Sequence, residues 1–442
     1  MSIARNCKHA GMLMLTVALT ACTYIPDTRQ TRNVVLLIGD GMDAHQITIA
    51  RNYLVGPTGR LALDDLPGRA DVGVVTLDEQ TPGVFRYVPD SANTATALAT
   101  GTATSRGRVA TAPRTDVDLP TIVELAAAAG YRTGVISTAE VTDATPASFV
   151  AHIAGRWCKT PRDMGRNPLC ANDRVEAGGP GSIARQLAGS DLDLLLGGGR
   201  EDFGEGDGSP RALAETAGFT VLTTAADLAA APPANRWLGL FAEGNFAPRM
   251  MGEDGRTAEQ VGEGGAFPAP MTCVDNPGAS GQPGMLEMTR SAVARLTQDP
   301  GRGFFLMVES ALIDKASHVR NPCSSIAEVA QLDEALRFLV NFADGHGETL
   351  IIVTADHTQA AQLVPNTSLY RNLGDPVHTP GRIARIQMSD GTLMGVNYAT
   401  NSYFVEEHTG AHVPLHTNRP ELLAGFLTQS DVYGVMSRFL GL

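Results

Sequence analysis

The chain has 442 residues, of which 43% are hydrophobic and 18% are charged, and this composition is typical of a globular protein and excludes an intrinsically disordered one. Its length suits one large α/β domain or two ordinary ones. The formal net charge is −13, so the chain lacks the cationic excess that nonspecific nucleic-acid binding needs, and we expect no nucleic-acid partner.

The N-terminus has the features of a secretory signal over residues 1–21. Arg5 and Lys8 give it a positive start, and Met12–Leu19 is an apolar run too short to span a bilayer. The run leads into Leu-Thr-Ala-Cys, which resembles a bacterial lipobox and implies cleavage before Cys22 and lipidation of its thiol. An ordinary soluble export signal with an incidental cysteine is the alternative.

Residues 22–32 are then expected to tether the lipid to a folded region at 33–442. No other stretch is long and apolar enough to cross a membrane. We therefore expect an exported, periplasmic protein that Cys22 anchors to a membrane. Thr23 stands where an aspartate would direct retention, which favours the outer membrane.

Three short apolar runs each end in a carboxylate. An unbroken apolar run bounded by glycine is typical of a strand buried on both faces of a parallel sheet, and open α/β sheets bind ligands beyond the carboxyl ends of their strands. One carboxylate in that position could simply cap the next helix, but three favour a metal site. The runs and the residues after them are Val34–Ile38 with Asp40, Phe304–Val308 with Glu309, and Leu350–Thr354 with Asp356 and His357.

Strands alternate with helices along the chain, which predicts an α/β fold with one central, mostly parallel sheet and helices on both faces. Residues 243–284 should be mostly loop, and residues 358–407 an irregular insertion with a hairpin near Asp390. The predicted helices are Asp43–Leu54, the run of small residues after Ser91, Leu119–Ala129 capped by Asp118, Pro146–Gly155, Gly181–Ala188, Pro210–Ala217, Met285–Gln298, Ser324–Ala343, Pro420–Thr428 and Val432–Leu440. The further strands are Ala70–Thr76, Arg132–Ser137, Leu192–Leu196, Thr220–Leu222 and Trp237–Phe241.

Four cysteines remain once Cys7 leaves with the signal and Cys22 takes the lipid. In an exported chain cysteine pairing is the default, and four cysteines allow three connectivities. No two have the close spacing of a structural zinc site. We predict the pairs Cys158–Cys170, whose small loop closes locally, and Cys273–Cys323.

Histidines join the carboxylates as candidate metal ligands. Asp314 and His318 are four residues apart, which places both on one face of a helix, although such a pair alone is more often a surface contact. His408, in a loop-like segment, would be ordinary by itself. Nitrogen ligands suit zinc and oxygen ligands suit magnesium, so the mixed set indicates two zinc ions and one harder ion. A zinc pair can stabilise the attacking and leaving oxygens of an in-line displacement.

Ser91 and Arg156 are the candidates for covalent chemistry and anion binding. Ser91 follows Asp90 at a helix start, where either residue could be a plain cap but where the helix also favours an anion. No Gly-x-Ser-x-Gly motif surrounds Ser91, so a Ser-His-Asp hydrolase is disfavoured, and a metal would have to lower the pKa of the hydroxyl. Arg156 presents a planar fork that fits two phosphate oxygens; a surface arginine is the alternative.

Taken together, these motifs resemble those of the bacterial exported alkaline phosphatases over about residues 33–442. The motifs occur in the family's order, and the four remaining cysteines fall where that group places two disulfides. The shared motifs are LLIGDGM, DSANTATALATG, STAEVTDATPA, HIAGRWC, GSIARQL with LGGG, GFFLMVE with IDKASH, IVTADH and EEHTG.

The resemblance implies a role for each candidate residue. Ser91 matches the nucleophile that becomes a phosphoserine, and Arg156 the phosphate-binding arginine. Asp143 and Lys315 match the acid and lysine that support the magnesium and the phosphate through water. The implied metal ligands are Asp314, His318 and His408 for the zinc that activates the leaving group and later water, Asp40, Asp356 and His357 for the zinc that activates the serine, and Asp40, Thr145 and Glu309 for magnesium.

The implied function is hydrolysis of phosphate monoesters in two in-line steps with net retention at phosphorus, by a homodimer. Gln359 stands where relatives often have another histidine, which should alter rate or metal affinity while retaining the chemistry. His412 and His416 are predicted to be loop residues. The alternatives are a phosphodiesterase or sulfatase on the same fold, the sulfatase disfavoured because no C/S-x-P-x-R motif is present, or a lipoprotein that binds metal or phosphate without catalysis.

Overall fold

The computed structural model describes residues 31–262, 266–298, 301–366 and 379–442. The predicted signal, Cys22 and most of the predicted tether lie outside these ranges. Described helices and strands alternate as the sequence predicts. The helices are α1 Ala44–Val55, α2 Ala62–Asp65, α3 Ser91–Thr100, α4 Ile122–Ala128, α5 Ala144–Ser148, α6 Pro161–Arg166, α7 Ile183–Ala188, α8 Arg200–Phe203, α9 Pro210–Thr216, α10 Ala225–Ala229, α11 Met285–Leu296, α12 Leu312–His318, α13 Pro322–Ala343 and α14 Gln429–Leu440.

A ten-stranded sheet forms the centre of the fold, in the order β19-β2-β18-β14-β1-β13-β5-β6-β8-β7. The seven strands from β14 to β7 pair in parallel, whereas β18 runs antiparallel to both of its neighbours. The sheet strands are β1 Arg32–Gly39, β2 Gly68–Gly73, β5 Arg132–Glu140, β6 Leu194–Gly198, β7 Phe219–Leu222, β8 Arg236–Leu240, β13 Gly303–Ser310, β14 Glu348–Ala355, β18 Val413–Thr417 and β19 Phe426–Thr428.

Helices cover both faces of this sheet, which explains why its central strands are apolar along almost their whole length. Helices α1, α11 and α13 form one layer, and α3, α4, α5 and α14 form the other. Every residue of β1 after Arg32 is buried, as are the corresponding residues of β13 and β14. The predicted architecture, a mostly parallel sheet between two helical layers, is confirmed.

A smaller sheet lies outside the central one and includes the predicted hairpin near Asp390. Arg382–Gln387 and Leu393–Tyr398 pair antiparallel through their whole length, so this hairpin is confirmed. Two short strands from the 243–284 segment join the same sheet, so that segment is less irregular than predicted. The remaining strands are β3 Thr76–Leu77, β4 Phe85–Arg86, β9 Met250–Gly252, β10 Glu259–Gln260, β11 Pro270–Met271, β12 Cys273–Asp275, β15 Gln362–Val364, β16 Arg382–Gln387 and β17 Leu393–Tyr398.

Three predicted helices differ from the structure. Helix α4 begins after Thr121, which forms a capping box with Glu124, because Pro120 disfavours helical backbone in the residue before it. Helix α5 ends at Ser148 because the following chain extends and Ile153 pairs with Val109.

The third error lies near the C-terminus. Residues 420–428 form a 3₁₀ turn, Pro420–Leu422, followed by strand β19, because Phe426–Thr428 pairs with the edge strand β2. His416 is also not a loop residue as predicted. It lies within β18, between β14 and β2, and is buried.

Both predicted disulfides are present. Cys158 and Cys170 close a local loop directly after Arg156, and Cys273 links the 243–284 segment to Cys323 at the start of α13. Within the described ranges, no helix has the length and apolarity that a bilayer crossing requires.

Candidate active site

The carboxyl ends of three adjacent central strands bring the predicted carboxylates together. Ile38 of β1 lies in register with Glu309 of β13 on one side and with Thr354 of β14 on the other. Asp40 and Asp356 each follow two residues beyond that level. Because neighbouring strands are about 4.8 Å apart, three acidic side chains must share one small region. The structure therefore brings these three strand ends together, as a shared site would require.

Asp40, Asp356 and His357 form the first part of the site. Nε2 of His357 lies 3.3 Å from Oδ1 of Asp40 and 3.4 Å from Oδ2 of Asp356. All three side chains are buried, and Oδ1 of Asp40 has no hydrogen-bond partner among the described residues. An unpaired buried carboxylate oxygen is costly unless a cation or water satisfies it. Their ligand atoms lie within 4.8 Å of one another, so they could hold one metal ion.

Asp314, His318 and His408 form the second part. Asp314 and His318 lie four apart on α12, as predicted, with 3.3 Å between Oδ2 and Nε2. Nε2 of His408 lies 3.4 Å from Oδ1 of Asp314 and 3.1 Å from Nε2 of His318. His357 also groups with Asp314 and His408, and its ring stacks on His408 at 3.7 Å, so the two parts are contiguous.

The imidazole tautomers favour a cation at this site. In His318, His357 and His408, Nδ1 faces a backbone carbonyl, those of Glu406, Thr358 and Pro89 respectively. A carbonyl can only accept, so Nδ1 carries a proton in each ring, and each ring when neutral turns an Nε2 lone pair into the site. Two such lone pairs face each other in His318 and His408, an arrangement that a shared metal ion explains.

Ser91 lies next to the first part of the site. Asp90 caps α3 through the backbone N–H of Asn93, so Ser91 is the first helical residue and not the cap. Its Oγ lies 3.1 Å from Nε2 of His357. Nδ1 of His357 faces the Thr358 carbonyl and not a carboxylate, so these residues do not form a Ser-His-Asp triad.

Three basic side chains, Arg156, Lys315 and Lys159, surround Asp143, and Arg156 also contacts Asp90. Arg156 donates from Nη1 to Asp90 at 3.2 Å and from Nη2 to Asp143 at 3.1 Å, while its buried Nε has no partner among the described residues. Lys315 donates to Oδ2 of Asp143. Nζ of Lys159 lies 3.7 Å from Oδ1 of Asp143, the oxygen that Arg156 contacts. Asp90 and Asp143 therefore hold the guanidinium in place through one N–H each, and the buried Nε–H is among the donors that remain.

Glu309 forms the third part of the site. It lies at the end of β13, in register with Ser137 of the neighbouring strand β5. Its carboxylate accepts a hydrogen bond from the hydroxyl of Ser137 and from that of Thr145 at the start of α5. Burial raises the pKa of Glu309 to about 8, and the negative charge of Asp143 adds to the shift. A buried acid with two hydroxyl neighbours is a reasonable ligand for a hard cation.

Three other acids of the site also have shifted pKa values. Burial, with repulsion from Asp314 and Asp356, raises the pKa of Asp40, and burial raises that of Asp356 to about 6. Burial disfavours the charged form of Asp314, yet His318 and His408 lower its pKa well below the ordinary value. A buried cluster in which the pKa values of some carboxyl groups are raised and that of another is lowered is typical of a functional site.

Gly41 and Gln359 bring the two parts of the site close together. Gly41 has φ +66°, and a Cβ there would lie 2.8 Å from Cγ of Gln359 and 3.3 Å from Cβ of Asp314. Its backbone N–H donates to Asp356 at 3.1 Å. Gln359 donates from Nε2 to Oδ1 of Asp314 at 2.5 Å, so the residue that departs from the family pattern contacts a candidate ligand.

Four residues near the site were missed or underestimated at the level of sequence. Asp90 was read only as a possible cap but also pairs with Arg156. Lys159 reaches Asp143, and Arg320 pairs with Glu406 beside His318. Asp90 and Glu406 lie within quoted motifs and Lys159 directly follows one, but their contacts depend on how separate loops meet, which no local pattern encodes.

Solved structures with the same fold place the chain among alkaline phosphatase-like α/β proteins. The alkaline phosphatase of the Antarctic bacterium TAB5 superimposes with a TM-score of 0.68 at 22% identity, over 92% of this chain and 98% of that one. The Thermus thermophilus alkaline phosphatase gives a TM-score of 0.67 at 23% identity, over 94% and 92% of the two chains.

Sequence comparison identifies the family. A family model described as alkaline phosphatase matches residues 31–432. The chain is 38% identical to the streptomycin-6-phosphate phosphatase of Streptomyces griseus, over 98% of this chain and 96% of that protein. It is 37% identical to the alkaline phosphatase of Escherichia coli, over 94% and 87%, and 34% identical to alkaline phosphatase H of Pseudomonas aeruginosa, over 94% and 86%. The chain therefore belongs to the alkaline phosphatase family and is a phosphoric monoester hydrolase, which confirms the predicted family and enzyme class.

Proposed function

We propose that the chain hydrolyses phosphate monoesters through a phosphoserine formed on Ser91. The observation that carries the proposal is the position of its Oγ, 3.1 Å from His357 Nε2 and so beside the clustered acids and imidazoles. Arg156 pairs with Asp90, the residue directly before Ser91, and with Asp143. A phosphoryl group needs a nucleophile and positive charge at its oxygens, and both meet here.

The cation sites follow from the two parts already described. Asp314, His318 and His408 would hold one zinc ion, and Asp40, Asp356 and His357 a second, because each set mixes carboxylate and imidazole ligands. Glu309, Thr145 and Asp40 offer only oxygen and would hold magnesium. The unpaired Oδ1 of Asp40 and the facing Nε2 atoms of His318 and His408 fit this loading.

When bound, these ions would supply the positive charge that lowers the pKa of an attacking oxygen and stabilises a leaving one. The side chains of the protein do the rest. Ser91 Oγ attacks phosphorus in line with the departing alcohol, and Arg156 binds two phosphoryl oxygens through its planar fork. Asp143 and Lys315 keep the guanidinium in position.

The phosphoserine is then hydrolysed by water that attacks from the side the alcohol has left. Each step inverts the configuration at phosphorus, so the two steps give net retention. Over the first step the proton of Ser91 passes to the departing alcohol. In the second step the oxygen of water bonds to phosphorus as the bond to Ser91 Oγ breaks, a proton from that water returns to Oγ, and inorganic phosphate leaves from Arg156. Chiral phosphate esters would report this stereochemistry directly.

Relatives support the metal proposal without fixing the ions. A variant of the TAB5 enzyme was solved with Mg bound in its M3 site. The Streptomyces griseus relative is named for a streptomycin phosphate, so an aminoglycoside phosphate belongs in any substrate panel beside simple aryl and alkyl phosphates.

We further propose export, lipidation at Cys22 and assembly as a homodimer. The two disulfides support an oxidising compartment, since such bonds persist mainly outside the cytosol. Mass spectrometry of the membrane fraction would detect a lipidated Cys22, and light scattering on purified protein would give the oligomeric state. An unmodified N-terminal segment or a monomer would contradict the respective proposal. We also propose that residues 358–407 form an insertion within the catalytic region at 33–442.

Metal analysis combined with activity tests the catalytic proposal. Zinc and magnesium are measured in the purified protein, the metals are removed by chelation, and hydrolysis of p-nitrophenyl phosphate is followed before, after and on adding each ion back. We expect activity to disappear and then return with zinc, and to rise further with magnesium. Full turnover in the stripped protein would overturn the metal mechanism, and faster turnover of bis-p-nitrophenyl phosphate would favour the diesterase alternative.

A further inference from the structure

Arg320 and Glu406 form a buried ion pair beside the candidate zinc site. Nε of Arg320 lies 2.5 Å from Oε1 of Glu406, and the two side chains are only 5% and 1% exposed. Arg320 comes two residues after His318, and Glu406 two residues before His408. A fully desolvated charge pair is unusual away from a functional site, and neither residue has a place in the proposed reaction.

The guanidinium of Arg320 organises the chain that leads to His408. Its two Nη atoms donate to the backbone carbonyls of Phe404 at 2.9 Å and Tyr403 at 2.6 Å. Glu406 uses its second oxygen to accept hydrogen bonds from the backbone and hydroxyl of Thr400. The planar guanidinium therefore holds three residues of the 400–406 segment at once, which a lysine could not do in this geometry.

The same segment fixes the imidazole of His318. The backbone N–H of Glu406 donates to the carbonyl of His318 at 3.0 Å, and the carbonyl of Glu406 accepts from Nδ1 of His318 at 2.5 Å. The second contact selects the tautomer that leaves Nε2 of His318 free to bind a cation. His408 then follows, with its own Nε2 3.1 Å away.

The backbone of Arg320 is arranged to make this contact. Its φ is +59°, a left-handed conformation that is uncommon outside glycine, and its N–H donates to the carbonyl of Ser317 at the end of α12. That turn brings the arginine side chain back toward the 400–406 segment. An unfavourable backbone conformation held by a five-contact side-chain network points to a positioning role.

We propose that Arg320 and Glu406 are positioning residues that set the geometry of His318 and His408 as ligands of one zinc ion. The proposal rests on the proposed function, because it assumes that Asp314, His318 and His408 bind zinc. It predicts that substituting Arg320 or Glu406 weakens zinc binding at that site, while zinc binding by Asp40, Asp356 and His357 is unaffected.

Two substitutions separate positioning from plain stability. Arg320→Lys keeps the charge but loses the fork, and Glu406→Gln keeps the volume and the backbone carbonyl but leaves Arg320 without a counter-charge. The control is Arg51→Lys, which weakens a bidentate pair with Asp64 between α1 and α2, at 2.9 and 2.7 Å, that contacts none of the candidate ligands. Zinc affinity is measured by titrating the stripped full-length enzyme with Zn²⁺ against a chromogenic chelator, beside thermal unfolding and steady-state kinetics.

Wild type should bind two zinc ions, and both variants should bind one of them about 10–100-fold more weakly, the usual effect of removing a residue that orients a ligand. At limiting zinc their kcat should fall with little change in KM, and excess zinc should restore it. Arg51→Lys should change only the melting temperature. If the variants melt earlier but bind both ions as wild type does, the pair is purely structural and the proposal is wrong. If wild-type protein itself takes up no zinc, the proposed function fails first.

Discussion

The Oγ of Ser91 lies 3.1 Å from Nε2 of His357, and that histidine receives no carboxylate support at Nδ1. A serine in this position cannot depend on a histidine base held by an acid, as in a triad. In the mechanism that we propose, it depends instead on the zinc ion that Asp40, Asp356 and His357 would hold. The hydroxyl is therefore the point at which the cation cluster and the chemistry meet.

Replacing this hydroxyl should abolish turnover without unfolding the protein. We expect Ser91→Ala to lower kcat on p-nitrophenyl phosphate by about 10³-fold or more, since the covalent step has no other nucleophile. Ser148→Ala is a matched control, because Ser148 is also buried and, among the described residues, its Oγ hydrogen-bonds with Ala92, Ala144 and Thr96 and with none of the candidate ligands. Acid-quenched wild type should carry phosphate on Ser91 by mass spectrometry. Normal turnover by Ser91→Ala would show that the hydroxyl is not the nucleophile.

Arg156 should contribute mainly to binding the phosphoryl group. Arg156→Lys retains a cation but lacks the planar fork that donates to both Asp90 and Asp143 and still keeps the Nε–H available. A hydrogen bond to a charged group contributes about 1.5–3 kcal/mol, so we expect kcat/KM to fall about 10–100-fold. The inhibition constant for inorganic phosphate should rise by a similar factor. Arg200→Lys, which alters an exposed pair with Glu243, is the control, and an unchanged inhibition constant in Arg156→Lys would refute the assignment.

Gln359 should tune metal binding through Asp314. Its amide donates to Oδ1 of that carboxylate at 2.5 Å and has no nitrogen lone pair to offer a metal. We expect Gln359→Ala to weaken zinc binding about tenfold, because a ligand carboxylate without its hydrogen-bond donor is less well oriented. The measurement is zinc titration of the stripped enzyme, with activity regained at excess zinc. Equal zinc affinity in wild type and variant would mean that the amide only fills space.

Much of this site was predictable because its core lies at strand ends. Asp40, Glu309 and Asp356 each follow a continuous apolar run, and parallel pairing of those runs in register forces their ends together. Asp314 and His318 are on one helical face by spacing alone. Family motifs then supplied Ser91 and Arg156, which spacing alone left ambiguous.

The errors occurred where distant pairing decides local structure. Residues 426–428 have no strong strand pattern and become β19 because β2 offers a free edge. His416 is buried for a similar reason, since the antiparallel strand β18 inserts between β14 and β2. The Arg320–Glu406 pair joins segments 86 residues apart, and nothing in either segment encodes the other.

The burial of His416 has a consequence for stability against acid. Burial, with the positive charge of Arg69, lowers the pKa of His416 to about 4, and its Nδ1 has no partner among the described residues. The charge of Arg51 also lowers this pKa, whereas the charge of Asp64 and a hydrogen bond to the backbone of Leu63 raise it. In the unfolded chain the pKa is that of an ordinary histidine, about 6.5.

These two pKa values mean that His416 makes the folded state less stable as the pH falls. Above pH 6.5 His416 is neutral in both states and costs nothing. Between pH 6.5 and 4 His416 is protonated in the unfolded chain but stays neutral in the folded chain. The free energy of unfolding therefore decreases as the pH falls through this range. The loss from this one residue should reach about 3 kcal/mol near pH 4.

His416→Gln should remove that part of the pH dependence. Glutamine has no proton to gain, so the difference in unfolding free energy between variant and wild type should move in favour of the variant as the pH falls from 7 to 4. Urea unfolding at several pH values measures this difference, and comparing the two proteins at each pH cancels any loss of metal that both undergo. His412→Gln is the control, because His412 lies four residues earlier with an exposed side chain. A constant difference between wild type and His416→Gln across this range would mean that His416 is protonated equally readily in the folded and unfolded chain.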